Sequence, residues 1–270
     1  MKAAEFLKQG RLSDALKAAE DAVRNEPAAG KPRVLLAQIL AVMGVWDRCV
    51  AQLEVAGKLE PGNLLMVQVC RHLVAGEGFR RDVFTGKRQP LLLGEPPAWA
   101  AMMVQALGQT AAGHHVAAAS LRQQALELAP ARGGTLNGQR FEWIADADSR
   151  LGPILEVMVD AKYYWVPMSR LASLKVDQPA DLRDVVWAPA TFTWTTGGTQ
   201  EGFIPARYAG TETAGSDAHK LARQTQWDSL EGTEEFAGIG QRMLATDEGE
   251  TPILEVRSLV FDPEGSVANG

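Results

Sequence analysis

The sequence predicts an α+β protein, with tetratricopeptide-like helical repeats at residues 1–132 and a mainly β domain at residues 133–270. Three observations support this prediction. A glycine–proline spacing recurs through the first 130 residues within apolar patterns of helical period. The Gly-rich linker "ARGGTLNG" follows, and after it come β-branched and aromatic runs separated by turn residues. We expect this second half to form a small barrel or a strongly twisted antiparallel sheet.

Composition and charge agree with two soluble domains. The chain has 270 residues, 46% of them hydrophobic and 22% charged, and no apolar run approaches the ~20 residues of a membrane span. Residues 1–134 carry 16 Lys+Arg and 12 Asp+Glu, a net +4, whereas residues 135–270 carry 11 and 21, a net −10. Such asymmetry supports two domains. Because the first half is only mildly basic and has no dense Lys/Arg stripe, we expect neither nucleic-acid binding nor membrane insertion.

The N-terminus and the cysteines predict a cytoplasmic protein. Charges interrupt the apolar residues of "MKAAEFLKQGRLSDALKAAE", so this segment does not resemble a signal peptide. Cys49 and Cys70 lie inside helical patterns rather than at metal-binding or disulfide spacings, which is typical of a reducing compartment. A single Cys49–Cys70 bridge stays open at this level.

The helical half contains an internal repeat. A glycine and a proline stand 17 residues apart at three places, and the pairs are offset by 34 and then by 69 residues. The pairs are Gly10 with Pro27, Gly44 with Pro61, and Gly113 with Pro130. This register resembles the tetratricopeptide repeat, a helix–turn–helix of 34 residues. Glycine suits the turn because it accepts positive φ, and proline follows the second helix because it cannot continue one.

The four repeats differ in regularity. The second is the clearest, since Leu36, Ile39, Leu40 and Met43 form one helical stripe. The first has a short opening helix at residues 2–9, and the fourth recovers the full pattern after Trp99.

The third repeat departs from the pattern. It keeps a helix at about residues 63–75 with Gly78 in register, but Lys87 and several prolines then interrupt its second helix. We expect that second helix to be short or lost.

A repeat stack generally presents a concave binding surface lined by the first helix of each pair. Its outward positions predict a groove formed by Val34, Gln38, Gln68, His72, Met103 and Leu107. The alternative is that Val34, Met103 and Leu107 belong to the core. His72 and the adjacent His114 and His115 have no third ligand nearby, so we expect no metal site.

The second half is predicted to form short strands. "PILEVMVD" and "YYWVP", separated by Ala161 and Lys162, predict a hairpin, and "LASLKVD" predicts another strand. A second hairpin is predicted where "VVWAPATFTWT" and "QEGFIPARY" flank the turn residues 196–199, "TGGT". "TPILEVRSLVF" predicts a last strand, and residues 210–240 predict long loops with a helical turn or two.

The segment "FEWIADADSR" stands where the repeats end and the sheet begins. Glu142, Asp146 and Asp148 could form a metal or acid–base site, but the segment lacks the glycine and distant glutamate of a calcium loop. The alternative is a structural corner in which the carboxylates accept backbone N–H groups and pair with Arg150 or Arg183. We favour the corner, since the chain has no nucleophile elbow, phosphate loop or triad pattern.

Three segments of the sequence resemble those of a known family. "FEWIADADSRLGPILEVMVDAKYYWVPMSRL", "QPADLRDVVWAPA" and "IPARYAGTE" are similar to the ImpE family, also called SciE or TagJ, of bacterial type VI secretion systems. The resemblance extends over essentially the whole chain. The residues taken as its structural signature are Glu142, Trp143, Asp146, Asp148, Arg150, Trp165, Arg183 and Trp187.

The resemblance implies a cytoplasmic, non-enzymatic accessory protein without a cofactor. Its implied partner is the N-terminal helix of the small sheath subunit, TssB or VipA, and it implies a link to sheath handling by the ClpV ATPase. A helical array can supply the apolar surface that such a helix needs. Two alternatives stay open: a hydrolase using Glu142, Asp146 and Asp148, and a general tetratricopeptide-type peptide-binding scaffold.

Overall fold

The computed structural model describes residues 2–263, and its first half is a helical array. The helices are α1 (Lys2–Lys8), α2 (Leu12–Asn25), α3 (Gly30–Val42), α4 (Trp46–Leu59), α5 (Leu64–Phe84), α6 (Ala98–Ala111) and α7 (His115–Leu128). The turns inside three repeats contain Gly10, Gly44 and Gly113 at φ of 72°, 73° and 81°, which explains the choice of glycine. On α3, Leu36 and Ile39 of the predicted stripe are buried. The repeat prediction is confirmed.

The third repeat differs from the other three. Helix α5 does not end near residue 75 but runs through Gly78 to Phe84, so the predicted turn at Gly78 was wrong. The helix continues because its next turns pack inward, with Glu77, Arg80 and Val83 all buried. The second helix is lost, as expected. In its place the chain turns at Gly86 and reaches the two-residue strand β1 (Leu91–Leu92).

The second half forms mixed sheets. Its strands are β2 (Gly134–Leu136), β3 (Gln139–Phe141), β4 (Ile144–Asp146), β5 (Ile154–Val159), β6 (Lys162–Pro167), β7 (Leu171–Val176), β8 (Trp187–Trp194), β9 (Thr199–Pro205), β10 (Thr225–Ser229), β11 (Phe236–Gly240), β12 (Met243–Thr246), β13 (Gly249–Pro252) and β14 (Ser258–Phe261). The largest sheet has the order β1-β6-β5-β9-β8-β7-β14-β2-β3, and only the β1–β6 pair is parallel. Its end strands, β1 and β3, do not pair with each other within residues 2–263, so the sheet is open. The α+β class is therefore confirmed, and the barrel alternative was wrong.

Both predicted hairpins are present. The β8–β9 turn has Gly197 and Gly198 at φ of 85° and 86°, as the "TGGT" signal predicts. The β5–β6 turn uses Asp160 and Ala161 at φ of 48° and 61°, one residue earlier than predicted. Lys162 therefore begins β6.

Two regions differ from the prediction. The expected strand at 251–261 is interrupted by a 3₁₀ turn at Ile253–Glu255, which separates β13 from β14. The expected loops at 210–240 do contain two helical turns, α8 (Thr211–Ala214) and α9 (Asp217–Lys220), but they also contain the β10–β11 hairpin. Strand β10 reads "TQWDS" and buries none of its residues fully, so it lacks the apolar alternation that marks a strand.

Strand β5 separates two hydrophobic clusters. Ile154 and Met158 belong to the cluster shared with the helices, whereas Leu155 and Val157 belong to the cluster on the other side. Side chains of a strand alternate between its faces. Glu156 therefore points into the interface between the helical array and the sheet, where a carboxylate requires compensating partners.

Candidate functional site

The six residues predicted to line a groove are not gathered on one surface. Met103 and Leu107 are buried, at 0% and 3% exposure, and both belong to the cluster beneath the helices. Gln68 and His72 are exposed one turn apart on α5, while Val34 and Gln38 are half-buried on α3. Met103 therefore cannot contact a partner at the surface, because it is packed into the hydrophobic cluster that also contains Leu151 and Ile154.

Clefts open along the helical array, among them three that bear on the predicted groove. The first, about 590 Å³, runs along α2, and its lining includes Phe6 of α1 and Leu35 of α3, but neither Val34 nor Gln38. The second, about 120 Å³, lies between α5 and the β5–β6 turn, where His72 stands beside Met158.

The third cleft, about 410 Å³, lies between the end of α5 and the α6–α7 pair, and we call it the α5–α6 cleft. Its lining is Val83, Gly86, Lys87, Arg88, Gln89, Pro90, Val104, Gln105, Leu107, Gly108, Gln109 and Leu121. Leu107 of the predicted groove therefore forms part of a cleft floor even though its side chain is almost covered. In the α5–α6 cleft the covered lining residues Val83 and Leu107 are apolar, whereas Lys87 and Arg88 are exposed.

Asp146 ends strand β4 and is fully enclosed. Its carboxylate accepts the backbone N–H of Asp148 at 2.9 Å and the hydroxyl of Tyr208 at 3.0 Å, and it pairs with Arg242. Burial raises the pKa of Asp146 to about 7, although the guanidinium of Arg242 opposes the shift. The carboxylate has no exposed face for a substrate.

Asp148 forms the tight corner of the "FEWIADADSR" segment. It accepts the backbone N–H groups of Arg150 and Gly238, each at 2.9 Å, and the Arg150 guanidinium lies 2.5 Å from Oδ2. Arg150 also stacks over Phe84 of α5, 5.0 Å from the ring centre. The corner is thereby attached to the helical array.

Glu156 is the centre of a buried network of ion pairs. Arg80 of α5 donates from Nε at 2.7 Å and from Nη2 at 2.9 Å, and both Arg242 and the Tyr163 hydroxyl also bind the carboxylate. Burial alone would raise the pKa of Glu156, but the guanidinium groups of Arg80 and Arg242 outweigh it and lower the pKa to about 2. Glu156 is therefore a charged anchor for two elements.

The network also reaches the array through α5 and α3. Glu77 accepts the indole N–H of Trp187 at 3.0 Å and lies 3.4 Å from Arg80. Arg207 donates to the carbonyl of Val42 at 2.7 Å. With four carboxylates and four arginines, the network is formally neutral. Its members are Glu77, Asp146, Asp148, Glu156, Arg80, Arg150, Arg207 and Arg242.

The residues taken as the family signature fall into two groups, those in or beside the network and those away from it. Asp146, Asp148 and Arg150 belong to the network. Trp187 and Trp165 border it, because Trp187 donates to Glu77 and Trp165 donates to the Tyr163 hydroxyl at 2.7 Å. Arg183 does not reach the aspartates of the corner but lies 3.5 Å from Asp181 and 3.7 Å from Asp184. Arg242, not Arg183, is thus the partner of Asp146.

Glu142 and Trp143 stand apart from the network. Both are exposed, and the backbone N–H of Glu142 donates to Asp247 at 2.8 Å. The three carboxylates proposed for hydrolysis therefore do not share an accessible pocket.

Sequence reasoning did not identify Arg80, Glu156, Tyr208 or Arg242. The sequence did contain a signal for Glu156, because it is the lone charge in the apolar run "PILEVMV". A charge at a position of that kind requires a buried partner.

Several other kinds of site are missing from the described part of the chain. Within residues 2–263, no three His, Cys, Asp or Glu side chains are grouped as metal ligands would be, and no helix is long and apolar enough to cross a membrane. Cys49 and Cys70 are both buried free thiols, so the bridge left open by the sequence is not formed. Burial raises the pKa of Cys49 to about 12, which makes its thiol unreactive at neutral pH.

Comparison with known proteins identifies the family to which this chain belongs. The sequence model described as "ImpE protein" matches residues 138–260. The chain is 47% identical over 263 residues to the type VI secretion system accessory component TagJ of Pseudomonas aeruginosa PAO1, covering 97% of this chain and 92% of that protein. The chain belongs to the ImpE family. The crystal structure of protein VPA1032 from Vibrio parahaemolyticus is also similar, with a TM-score of 0.89, 27% identity and 98% coverage of both chains.

The ImpE match covers most of the network but not all of it. Asp146, Glu156 and Arg242 lie inside the matched residues 138–260, whereas Arg80 lies in the helical array before them. The network therefore connects the segment that defines the ImpE family with the repeats that precede it.

Proposed function

We propose that this protein is a non-enzymatic accessory protein of a bacterial type VI secretion system that acts as an adaptor in the cytoplasm. It binds the N-terminal helix of the small sheath subunit, TssB or VipA, and takes part in sheath handling with the ClpV ATPase. The observation that carries the proposal is the 47% identity over nearly the whole chain to an accessory component of that secretion system.

The geometry supports an adaptor that binds a helix. An amphipathic helix binds through side chains at i, i+3, i+4 and i+7 that enter an apolar groove. The helical array offers clefts with apolar floors, and the α5–α6 cleft has Val104 and Leu121 at its base. The polar side chains at the rim would then set the orientation of the bound helix.

The carboxylates support a role without catalysis. A general acid or base must lie within hydrogen-bonding reach of a substrate proton. Asp146 does have a raised pKa, but it is enclosed by Arg242, Tyr208 and the backbone of Asp148. The network serves the junction between array and sheet, and no observation favours the hydrolase alternative.

The proposal is tested by calorimetric titration of the purified full-length protein with a synthetic N-terminal helix of the small sheath subunit. A peptide of the same composition in scrambled order is the control, because it has the same charge but no apolar stripe. We expect saturable one-to-one binding of the native peptide only. No heat of binding at high micromolar peptide would overturn the proposal, and equal binding of both peptides would favour a general scaffold.

A further inference from the structure

The repeat register shows that one helix of the array is missing. Second helices occupy α2, α4 and α7, and a shift of α4 (Trp46–Leu59) by the 34-residue repeat places the absent one at about residues 80–93. In the structure, residues 80–84 instead complete α5, and β1 carries the chain to the sheet. The array therefore has seven helices, within residues 2–132, where four complete repeats would have eight.

The α5–α6 cleft lies beside this gap. One wall is the end of α5 and the following loop, from Val83 to Pro90, and the other wall is the face of α6 with Leu121 of α7. Helix α5 itself packs little against α6, whereas α6 packs closely against α7. Packed helix axes lie about 8–10 Å apart, so a separated pair of helices leaves room for a third.

The floor of the cleft is apolar, and the α6 wall allows a second helix to approach closely. Val104 and Leu121 are half-buried, and Val83 and Leu107 are nearly covered. Gly108 on α6 has no atom within 4 Å of the position where a Cβ would stand. A neighbouring helix can pack tightly at such a point, because no side chain holds its backbone away.

The rim of the cleft is basic on one side. Arg88 is 58% exposed and lies 3.4 Å from Asp82, a carboxylate that it shares with Arg81, a residue outside the cleft lining. Lys87 is exposed and, within residues 2–263, pairs with no carboxylate. On the α6 wall the polar lining residues, Gln105 and Gln109 among them, are uncharged. The positive charge at the rim is therefore only partly neutralised.

We propose that the α5–α6 cleft is the docking site for the partner helix, which takes the position of the helix that the third repeat lacks. This inference rests on the proposed function and gives it a location and a chemistry. The bound helix places an apolar stripe over Val104, Gly108 and Leu121. It carries carboxylates on the flank that faces Lys87 and Arg88, since opposite charges fix the direction in which it lies.

The test is the titration of full-length variants with the sheath-subunit helix peptide. Gly108→Trp fills the cleft without a clash at its Cβ and replaces a poor helix former. We expect its affinity to fall by about tenfold or more. The matched control is Gly78→Trp, also a helical glycine with open space at its Cβ but outside the cleft lining, and it should bind as the wild type does.

The charge prediction is tested by the double variant Lys87→Glu/Arg88→Glu. It should weaken binding of the native peptide, and a peptide with its acidic flank changed to lysine should restore the affinity. Circular dichroism and thermal melting establish that each variant is folded. Wild-type affinity in both Gly108→Trp and the charge variant would overturn the location while leaving the proposed function intact. Failure of the wild-type protein to bind would overturn both.

Discussion

Arg80 of helix α5 binds Glu156 of strand β5 through two hydrogen bonds of 2.7 and 2.9 Å, although 76 residues separate them in the chain. The two side chains are 3% and 0% exposed. The same Glu156 also binds Arg242, so one carboxylate ties the helical array to the sheet and to the segment before β12. Such a junction is costly to break because a charge would remain buried without its partner.

The first prediction concerns this pair. Arg80→Met should lower the free energy of unfolding by about 3 kcal/mol or more, because Glu156 loses one of its two guanidinium partners in a buried site. Arg81→Met is the matched control, since Arg81 is exposed and should contribute under about 0.5 kcal/mol. Urea denaturation followed by circular dichroism measures both. Equal stability of the two variants would show that the pair does not hold the junction.

The second prediction is a dependence of stability on acid. The folded protein holds the pKa of Glu156 at about 2, below its usual 4.5, so the stabilisation is fully present above about pH 4.5. It is lost as the pH falls toward 2, and the whole effect amounts to at most about 3 kcal/mol.

Glu156→Gln isolates this effect. The variant is expected to be less stable than the wild type at pH 6, with a difference that shrinks as the pH falls from 4.5 to 2. Denaturant unfolding at several pH values gives the difference. A gap that stays constant over this range would contradict the assignment of the low pKa to Glu156.

The third prediction separates core from surface among the residues expected to line a groove. Met103→Ala should cost about 2–5 kcal/mol of unfolding free energy, because it leaves a cavity under α6. His72→Ala and Gln68→Ala should each cost under about 0.5 kcal/mol, since both side chains are exposed.

Binding distinguishes the two clefts beside α5. If the partner helix occupies the α5–α6 cleft, His72→Ala should bind the peptide with wild-type affinity in the calorimeter. A marked loss of affinity in His72→Ala would instead favour the cleft between α5 and the β5–β6 turn, which His72 lines.

The fourth prediction concerns the β5–β6 turn. Ala161 has φ of 61°, a conformation that costs an L-residue roughly 1 kcal/mol and that glycine adopts freely. Ala161→Gly should therefore raise the melting temperature slightly, by an amount equivalent to about 0.5–1 kcal/mol. Ala145→Gly in β4 is the control and should lower it, since glycine weakens a strand interior. A lower melting temperature for Ala161→Gly would show that the turn is not strained.

Much of the fold could be predicted because local chemistry specifies it. Gly44 and Gly113 supply the positive φ of helix turns, and the Gly197–Gly198 pair supplies the hairpin twist. The β10–β11 hairpin could not be predicted in this way. Its first strand, β10, is polar and has no apolar alternation, so only its pairing with β11 in the folded structure identifies it as a strand.

The candidate site was harder to predict than the fold. The position of His72 on an exposed helix face follows from the helical period, but the same period does not show whether α6 turns Met103 to the core or to solvent. The ion pair of Asp148 with Arg150 could be predicted because the two residues are two positions apart in the chain. The partner of Asp146 could not be predicted, since Arg242 lies 96 residues further along.

The sequence by itself determined the α+β class, the repeat register, the hairpin turn at Gly197–Gly198 and the resemblance to the ImpE family. These features depend on residues close together in the chain or on the order of residue types. Only the tertiary structure decided that α5 continues through Gly78, that Glu156 binds Arg80 and Arg242, and that a cleft lies between the end of α5 and the α6–α7 pair. The physical reason is that burial and ion pairing depend on which distant segments pack together. The local periodicity of the sequence does not specify that packing.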